Sequence, residues 1–232
     1  MTTKTALVTG ANKGIGREIA RELRALGMHV LVGARDPERG KEAAAALDAD
    51  FLPLDVTDPA SIEAAAAQVE VLDVLVNNAG VLLERGALPS ATPLQLLRDT
   101  YEVNVFGVIA VTNAFLPALR RAEAGRIVNM GSGLGSLHFA ADPSHVYAQN
   151  PLLAYNSSKS ALTAVTLSYA NELRDTPIKV NIADPGYCAT DLNFHSGPRT
   201  ASQGATAAVR LATLPADGPT GAFFDEDGPV PW

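Results

Sequence analysis

Cysteine is nearly absent from this chain: Cys188 is the only one in 232 residues. An intramolecular disulfide is therefore impossible and no cysteine-based metal spacing exists, which fits a reducing, cytoplasmic setting. Basic residues are also in short supply. Eighteen Lys and Arg face 25 Asp and Glu, a net charge of -7. With no local basic concentration, a nucleic-acid polyanion is an unsuitable partner. No run of about 18 apolar residues occurs. Met1 to Thr9 pass straight into Ala6-Leu7-Val8 without the basic-then-apolar layout of an export signal. The expectation is a soluble, unexported protein with no membrane partner.

What is present suffices for a substantial core, with 47% of residues hydrophobic and 19% charged. Short Val-, Ile- and Leu-rich runs recur at 6–8, 30–32, 51–54, 74–76, 127–130, 180–182 and 222–224, most of them separated by helix-period segments. This alternation predicts βαβ units. The fold class is α/β: a doubly wound, Rossmann-type three-layer sandwich with a mostly parallel seven-stranded sheet, spanning residues 1–232 as one domain. Ile15, Ile19, Leu23 and Leu26 form the apolar stripe of a first helix that Gly27 can close. Asp36-Pro37, Asp58-Pro59 and Thr92-Pro93 mark further helix starts, a capping oxygen before a proline at the first helical position. Residues 136–153 and 193–198 read as irregular, and loops of the first one's length more often serve function than chance.

Directly after the first strand comes Thr9-Gly10-Ala11-Asn12-Lys13-Gly14-Ile15-Gly16. Glycines at such a turn let backbone N–H groups approach a pyrophosphate, whose charge the following helix start favours. The Gly-x-x-x-Gly-x-Gly spacing is weak as a bare pattern; its place between strand and helix gives it meaning. The ribose reader should lie about 20 residues on, where an acid selects NAD and an arginine selects NADP. This chain has small Ala34 followed by Arg35, while Asp36 is read as a helix cap. Arg35 and Lys13 would then hold a 2′-phosphate.

With Asn77-Asn78-Ala79-Gly80, Val103-Asn104-Val105-Phe106-Gly107, Met130-Gly131-Ser132, Tyr155-Asn156-Ser157-Ser158-Lys159 and Pro185-Gly186-Tyr187-Cys188-Ala189-Thr190 following in order, the chain resembles the short-chain dehydrogenase/reductase family, in its compact carbonyl-reductase-like branch. The resemblance covers almost the whole length. It implies a catalytic set of Asn104, Ser132, Tyr155 and Lys159. It also implies an NADP(H) site drawing on Thr9, Gly10, Asn12, Lys13, Gly14, Ile15, Gly16, Arg35, Asp55, Val56, Asn78, Ala79, Gly80, Tyr155, Lys159, Pro185, Gly186, Cys188 and Thr190. In that reading Asp55 contacts the adenine ring, Asn104 supports a water relaying protons to Lys159, and Lys159 also binds the nicotinamide ribose. A homodimer or homotetramer is a further implication. Two departures stand out. Ser132 has no serine neighbour, and the 136–153 segment lengthens the step from Ser132 to Tyr155.

The chemistry also follows from spacing. Tyr155 and Lys159, four apart on a helix, share one face and can act together. Adding hydride to a carbonyl places charge on oxygen, which needs a proton from an acid within hydrogen-bond reach. The Lys159 ammonium is expected to lower the Tyr155 pKa, and Ser132 to orient the same oxygen. Taken singly, each residue reads as a solvated face or a turn; in register behind a phosphate loop they read as a site. The substrate is a small carbonyl compound or alcohol. An alcohol or sugar dehydrogenase running oxidatively uses the same residues, and a non-catalytic NADP(H) sensor has no need of them. Leu137, Phe139, Val146 and Tyr147 are expected to supply an apolar substrate wall, and no segment after Trp232 is foreseen as a substrate domain of epimerase type.

Overall fold

The computed structural model describes residues 3–232. Strands β1 (Thr5–Thr9), β2 (His29–Ala34), β3 (Asp50–Pro53), β4 (Val74–Asn77), β5 (Arg126–Met130), β6 (Lys179–Ala183) and β7 (Phe223–Phe224) form one sheet in the order β3-β2-β1-β4-β5-β6-β7. Every pairing is parallel. Eight α-helices flank the sheet among the described residues: α1 (Gly14–Ala25), α2 (Pro37–Ala46), α3 (Pro59–Ala66), α4 (Leu94–Tyr101), α5 (Val108–Arg121), α6 (Leu137–Ala140), α7 (Leu153–Glu172) and α8 (Ala201–Ala212).

The period-2 alternation of the strands decides which layer each side chain joins. Ala6 and Val8 of β1, with Val74 and Val76 of β4, face α1, α2 and α8 through Ile19, Leu23, Ala44 and Leu211. Leu7 and Leu75 point the other way, against Ile62 of α3, Val111, Phe115 and Leu119 of α5, and Leu173 just beyond α7. Burial on both faces explains why these strands read as continuous apolar runs. The strand order reverses between β1 and β4, so the connections after those two strands diverge and leave a crevice at their carboxyl ends.

Several expected boundaries shift. Asp36 and Asp58 cap α2 and α3 as their sequence implied, accepting from the Glu38, Arg39 and Ala60 amides. At Thr92-Pro93 the expectation fails: Pro93 is itself the cap residue of α4, and the Thr92 hydroxyl donates to Leu88 O instead. Leu26 leaves the α1 stripe because the helix ends at Ala25; it is 59% exposed, and Gly27 takes the left-handed conformation (φ +83°) that terminates the helix. The 136–153 segment is not wholly irregular, since α6 forms inside it with Ser136 capping the Phe139 amide. Residues 94–121 run as one helical stretch of 28 residues with hydropathy 1.5, apolar enough by composition to cross a bilayer. Val111, Phe115 and Leu119 account for that apolarity by packing into the core.

Candidate active site

The crevice at the β1/β4 switch opens into a cleft of ≈ 430 Å³. Its floor is the turn from β1 into α1. No side chain caps the first N–H groups of α1, so the helix start offers free donors and positive dipole to an anion. Gly16 has to be glycine: a Cβ there would sit 2.3 Å from Asn78 Nδ2 and 2.8 Å from Gly10 O. Asn78 explains the crowding, because its Nδ2 donates to Thr9 O and Gly10 O and fastens the turn to β4. Thr9 serves the same joint, its Oγ1 accepting from the Asn78 and Ala79 amides at 3.0 Å.

Of the residues read from sequence as cofactor-binding, Gly10, Asn12, Lys13, Gly14, Ile15, Gly16, Arg35, Asp55, Val56, Asn78, Ala79, Gly80, Tyr155, Lys159, Pro185 and Thr190 line the cleft. Thr9, Gly186 and Cys188 stand behind the wall. Cys188 is buried, with its thiol donating to Pro185 O at 3.1 Å. Asp55 uses Oδ1 to accept from Thr57 N and Oγ1. At the end of β2, Ala34 is buried while Arg35 is exposed on the cleft rim, and Asp36 is turned away into its capping bonds. The Lys13 ammonium, also at the cleft, pairs with Asp191 Oδ2 at 2.7 Å in an exposed ion pair, and His195 Nε2 bonds to Asp191 Oδ1 at 2.9 Å.

Tyr155 and Lys159 project from the first two turns of α7 and are both buried. α7 has no side-chain cap of its own, and Glu84, 71 residues earlier, supplies one by accepting from the Tyr155 amide at 2.9 Å. The Lys159 ammonium donates to Met130 O at 2.8 Å and lies 5.6 Å from the centre of the Tyr155 ring. Ser132, extended at the end of β5, accepts from the Leu134 amide, and its hydroxyl lies near enough to the Tyr155 phenol to lower that group's proton affinity. Asn104 sits in a π-helical turn, Glu102–Gly107, that joins α4 to α5 and is fully buried. Its amide is spent: Oδ1 accepts from Val81 N, while Nδ2 donates to Val81 O and Ser158 Oγ. A water relay at this position would therefore draw on its backbone rather than its side chain.

The proton affinities correct one expectation. Burial pushes the Tyr155 phenol up to about 12, the Asp184 charge adds to the rise, and the Ser132 hydrogen bond opposes it. Burial pulls Lys159 down to about 8, against the charge of Asp184. In the protein alone, desolvation therefore outweighs the lowering of the Tyr155 pKa that the ammonium was expected to produce.

The substrate wall also differs. Leu137 and Val146 are exposed, and Phe139 stacks on His145 at 4.2 Å with Tyr147 edge-on, so none of the four expected residues lines the cleft. The segment is instead anchored to the tail through Ser136 Oγ to Pro231 O and His138 N to Trp232 O. The apolar wall comes from Val81, Leu82, Leu83, Leu192 and Phe194. Sequence reading missed them, along with Arg85 over the Phe194 ring, because nothing local marks residues that only the chain's path brings together.

Comparison with known proteins agrees with this geometry. The chain is 37% identical over 228 residues to short-chain dehydrogenase anuI of Penicillium roqueforti (strain FM164), covering 92% of this chain and 90% of that one. It is 30% identical to (+)-neomenthol dehydrogenase of Capsicum annuum, covering 96% and 95%, in an alignment of 301 positions. That length exceeds the 232 residues here, so the relative carries segments this chain lacks. The solved structure of NADPH-bound carbonyl reductase from chicken fatty liver superposes with a TM-score of 0.86 at 29% identity, covering all of both chains. The family model described as short chain dehydrogenase matches residues 4–200, and with the relatives' coverage this establishes that the chain belongs to the short-chain dehydrogenase family of oxidoreductases.

Proposed function

We propose that this protein reduces an aldehyde or ketone to an alcohol with NADPH, Tyr155 serving as the general acid, in the reducing cytoplasm. The observation that carries the reading is that Tyr155 and Lys159, with Ser132 next to the phenol, meet at a cleft floored by the uncapped start of α1. The residues present fit the cofactor. Gly10 and Gly16 let the turn pack closely against Ala79 and Asn78, the α1 amides stay uncapped for a pyrophosphate, and Arg35 stands beside small Ala34 for the 2′-phosphate. Bound there, NADPH supplies the hydride. Ser132 orients the carbonyl oxygen, and Tyr155 gives that oxygen its proton as charge builds. Lys159, fixed by Met130 O, holds positive charge near the phenol and tops up its proton supply from solvent. A phenol held near 12 carries its proton at neutral pH, the form a general acid needs. The wall of Val81, Leu82, Leu83, Leu192 and Phe194 suits an apolar substrate body. The direct test is NADPH oxidation across aldehydes, ketones, quinones and keto-esters; no carbonyl-dependent turnover in any class would reject the reading.

Cofactor choice gives a second test. A 2′-phosphate carries roughly -1.5 to -2 charge by analogy with other phosphomonoesters, and accepts charge-assisted hydrogen bonds from a guanidinium. Such bonds are worth about 1.5–3 kcal/mol, and solvent screening at the rim holds the gain near the lower end, about tenfold in affinity. Lys13 adds little while Asp191 holds it. In fluorescence titrations Arg35→Ala should weaken NADPH about tenfold and leave NADH unchanged; equal losses of both would remove Arg35 from this role.

A further inference from the structure

Asp184 follows β6 directly and is 7% exposed. Its Oδ2 accepts from the Gly133 amide and its Oδ1 from the Gly186 amide, both at 2.9 Å. Gly133 adjoins Ser132 after β5, and Gly186 adjoins cleft-lining Pro185. One carboxylate thus ties together the two strand-end loops that flank the reacting centre. Neither loop has another side-chain carboxylate bonded to these amides. The charged and titratable groups facing it come from four directions: Tyr155 and Lys159 on α7, Tyr147 on the 136–153 segment, Arg199 and Cys188 before α8, and Asp225 after β7. Arg199 is ion-paired with Glu226, so its charge is largely answered elsewhere. Burial raises the proton affinity of Asp184, while the two amide bonds favour its ionised form.

We propose that Asp184 is a positioning residue whose two amide bonds fix the Ser132 loop against the Pro185–Gly186 segment and so set a carboxylate on the side of the reacting centre that holds Tyr155 and Lys159. This rests on the reading of Tyr155 as the acid of carbonyl reduction. The motif that follows begins at Pro185 and passes over Asp184, because its partners lie 51 residues back and two residues ahead. Reduction needs the pair protonated, and kcat falls as pH rises through the pair's apparent pKa. Deleting a nearby negative charge lowers both proton affinities. In Asp184→Asn the falling limb of the kcat–pH profile, taken at saturating NADPH, should therefore move about one unit or more toward acid. Asp184→Glu, which keeps the charge, should return the limb toward its wild-type position. A variant with lower kcat at every pH but an unmoved limb overturns the proposal, since loss of shape alone would do that.

A second measurement needs no Asp184 variant. Coupling is reciprocal, so removing the Lys159 cation must raise the pKa of Asp184. Carboxyl carbon-NMR titration of Asp184 in wild type and in Lys159→Met should show that rise, and identical titrations overturn the proposal. A wild type that reduces no carbonyl at all would reject the catalytic reading instead, while the NMR comparison still tests the charge coupling.

Discussion

Tyr155→Phe should lower kcat by at least about 10²–10⁴-fold, the usual contribution of a positioned general acid, with NADPH affinity nearly unchanged. The substitution removes one hydroxyl from a ring that is 8% exposed and already packed, so it opens no cavity and disturbs little else. What disappears is the proton for the developing alkoxide and the polar neighbour of the Ser132 hydroxyl. The helix start keeps its anchor, because Glu84 bonds to the backbone amide of residue 155 rather than to its side chain. Stopped-flow reduction under saturating cofactor separates the two quantities. A variant retaining more than about a tenth of wild-type kcat would take Tyr155 out of the acid role, and a comparable loss of NADPH affinity would recast it as a binding residue.

Arg126→Met should cost about 3–4 kcal/mol of stability, which corresponds to a fall in Tm of roughly 6–16 °C at this chain length. Arg126 opens β5 and is 5% exposed. Its guanidinium makes six hydrogen bonds to the carbonyls of Ala124, Gly125, Pro177, Leu214 and Pro215. These gather the loop before β5, the approach to β6 and the turn after α8 at the amino end of the sheet. Burial pulls the pKa of this arginine down, yet the carbonyl array solvates its charge in place of water. Methionine fills part of the space and leaves the carbonyls without donors; water reaching the outer ones keeps the loss below the sum of six bonds. The site lies at the far end of the strands from the cleft, so the folded variant should retain wild-type kcat. A Tm within about 2 °C of wild type would show that the carbonyls find other donors.

The sequence by itself determined the sheet, the phosphate turn and the pairing of Tyr155 with Lys159, because each is encoded by neighbours. Alternating apolar runs such as Ala6–Val8 and Val74–Val76 have one stable solution when both faces are covered. Glycines 10, 14 and 16 between a strand and a helix mark where backbone must approach something closely. A four-residue spacing places two side chains on one helix face whatever the rest of the chain does. What only the tertiary structure decided are the interactions between residues far apart in the chain. Lys13 read as a free cation until Asp191, 178 residues later, closed on it. Phe139 read as substrate wall until the fold stacked it on His145 in a segment bonded to the tail at Pro231 and Trp232. The direction of the Tyr155 pKa reversed for the same reason. Spacing showed its nearest charge, Lys159, but not the burial and the Asp184 carboxylate that folding sets around the phenol, and desolvation is a property of the assembled interior rather than of any local run of residues.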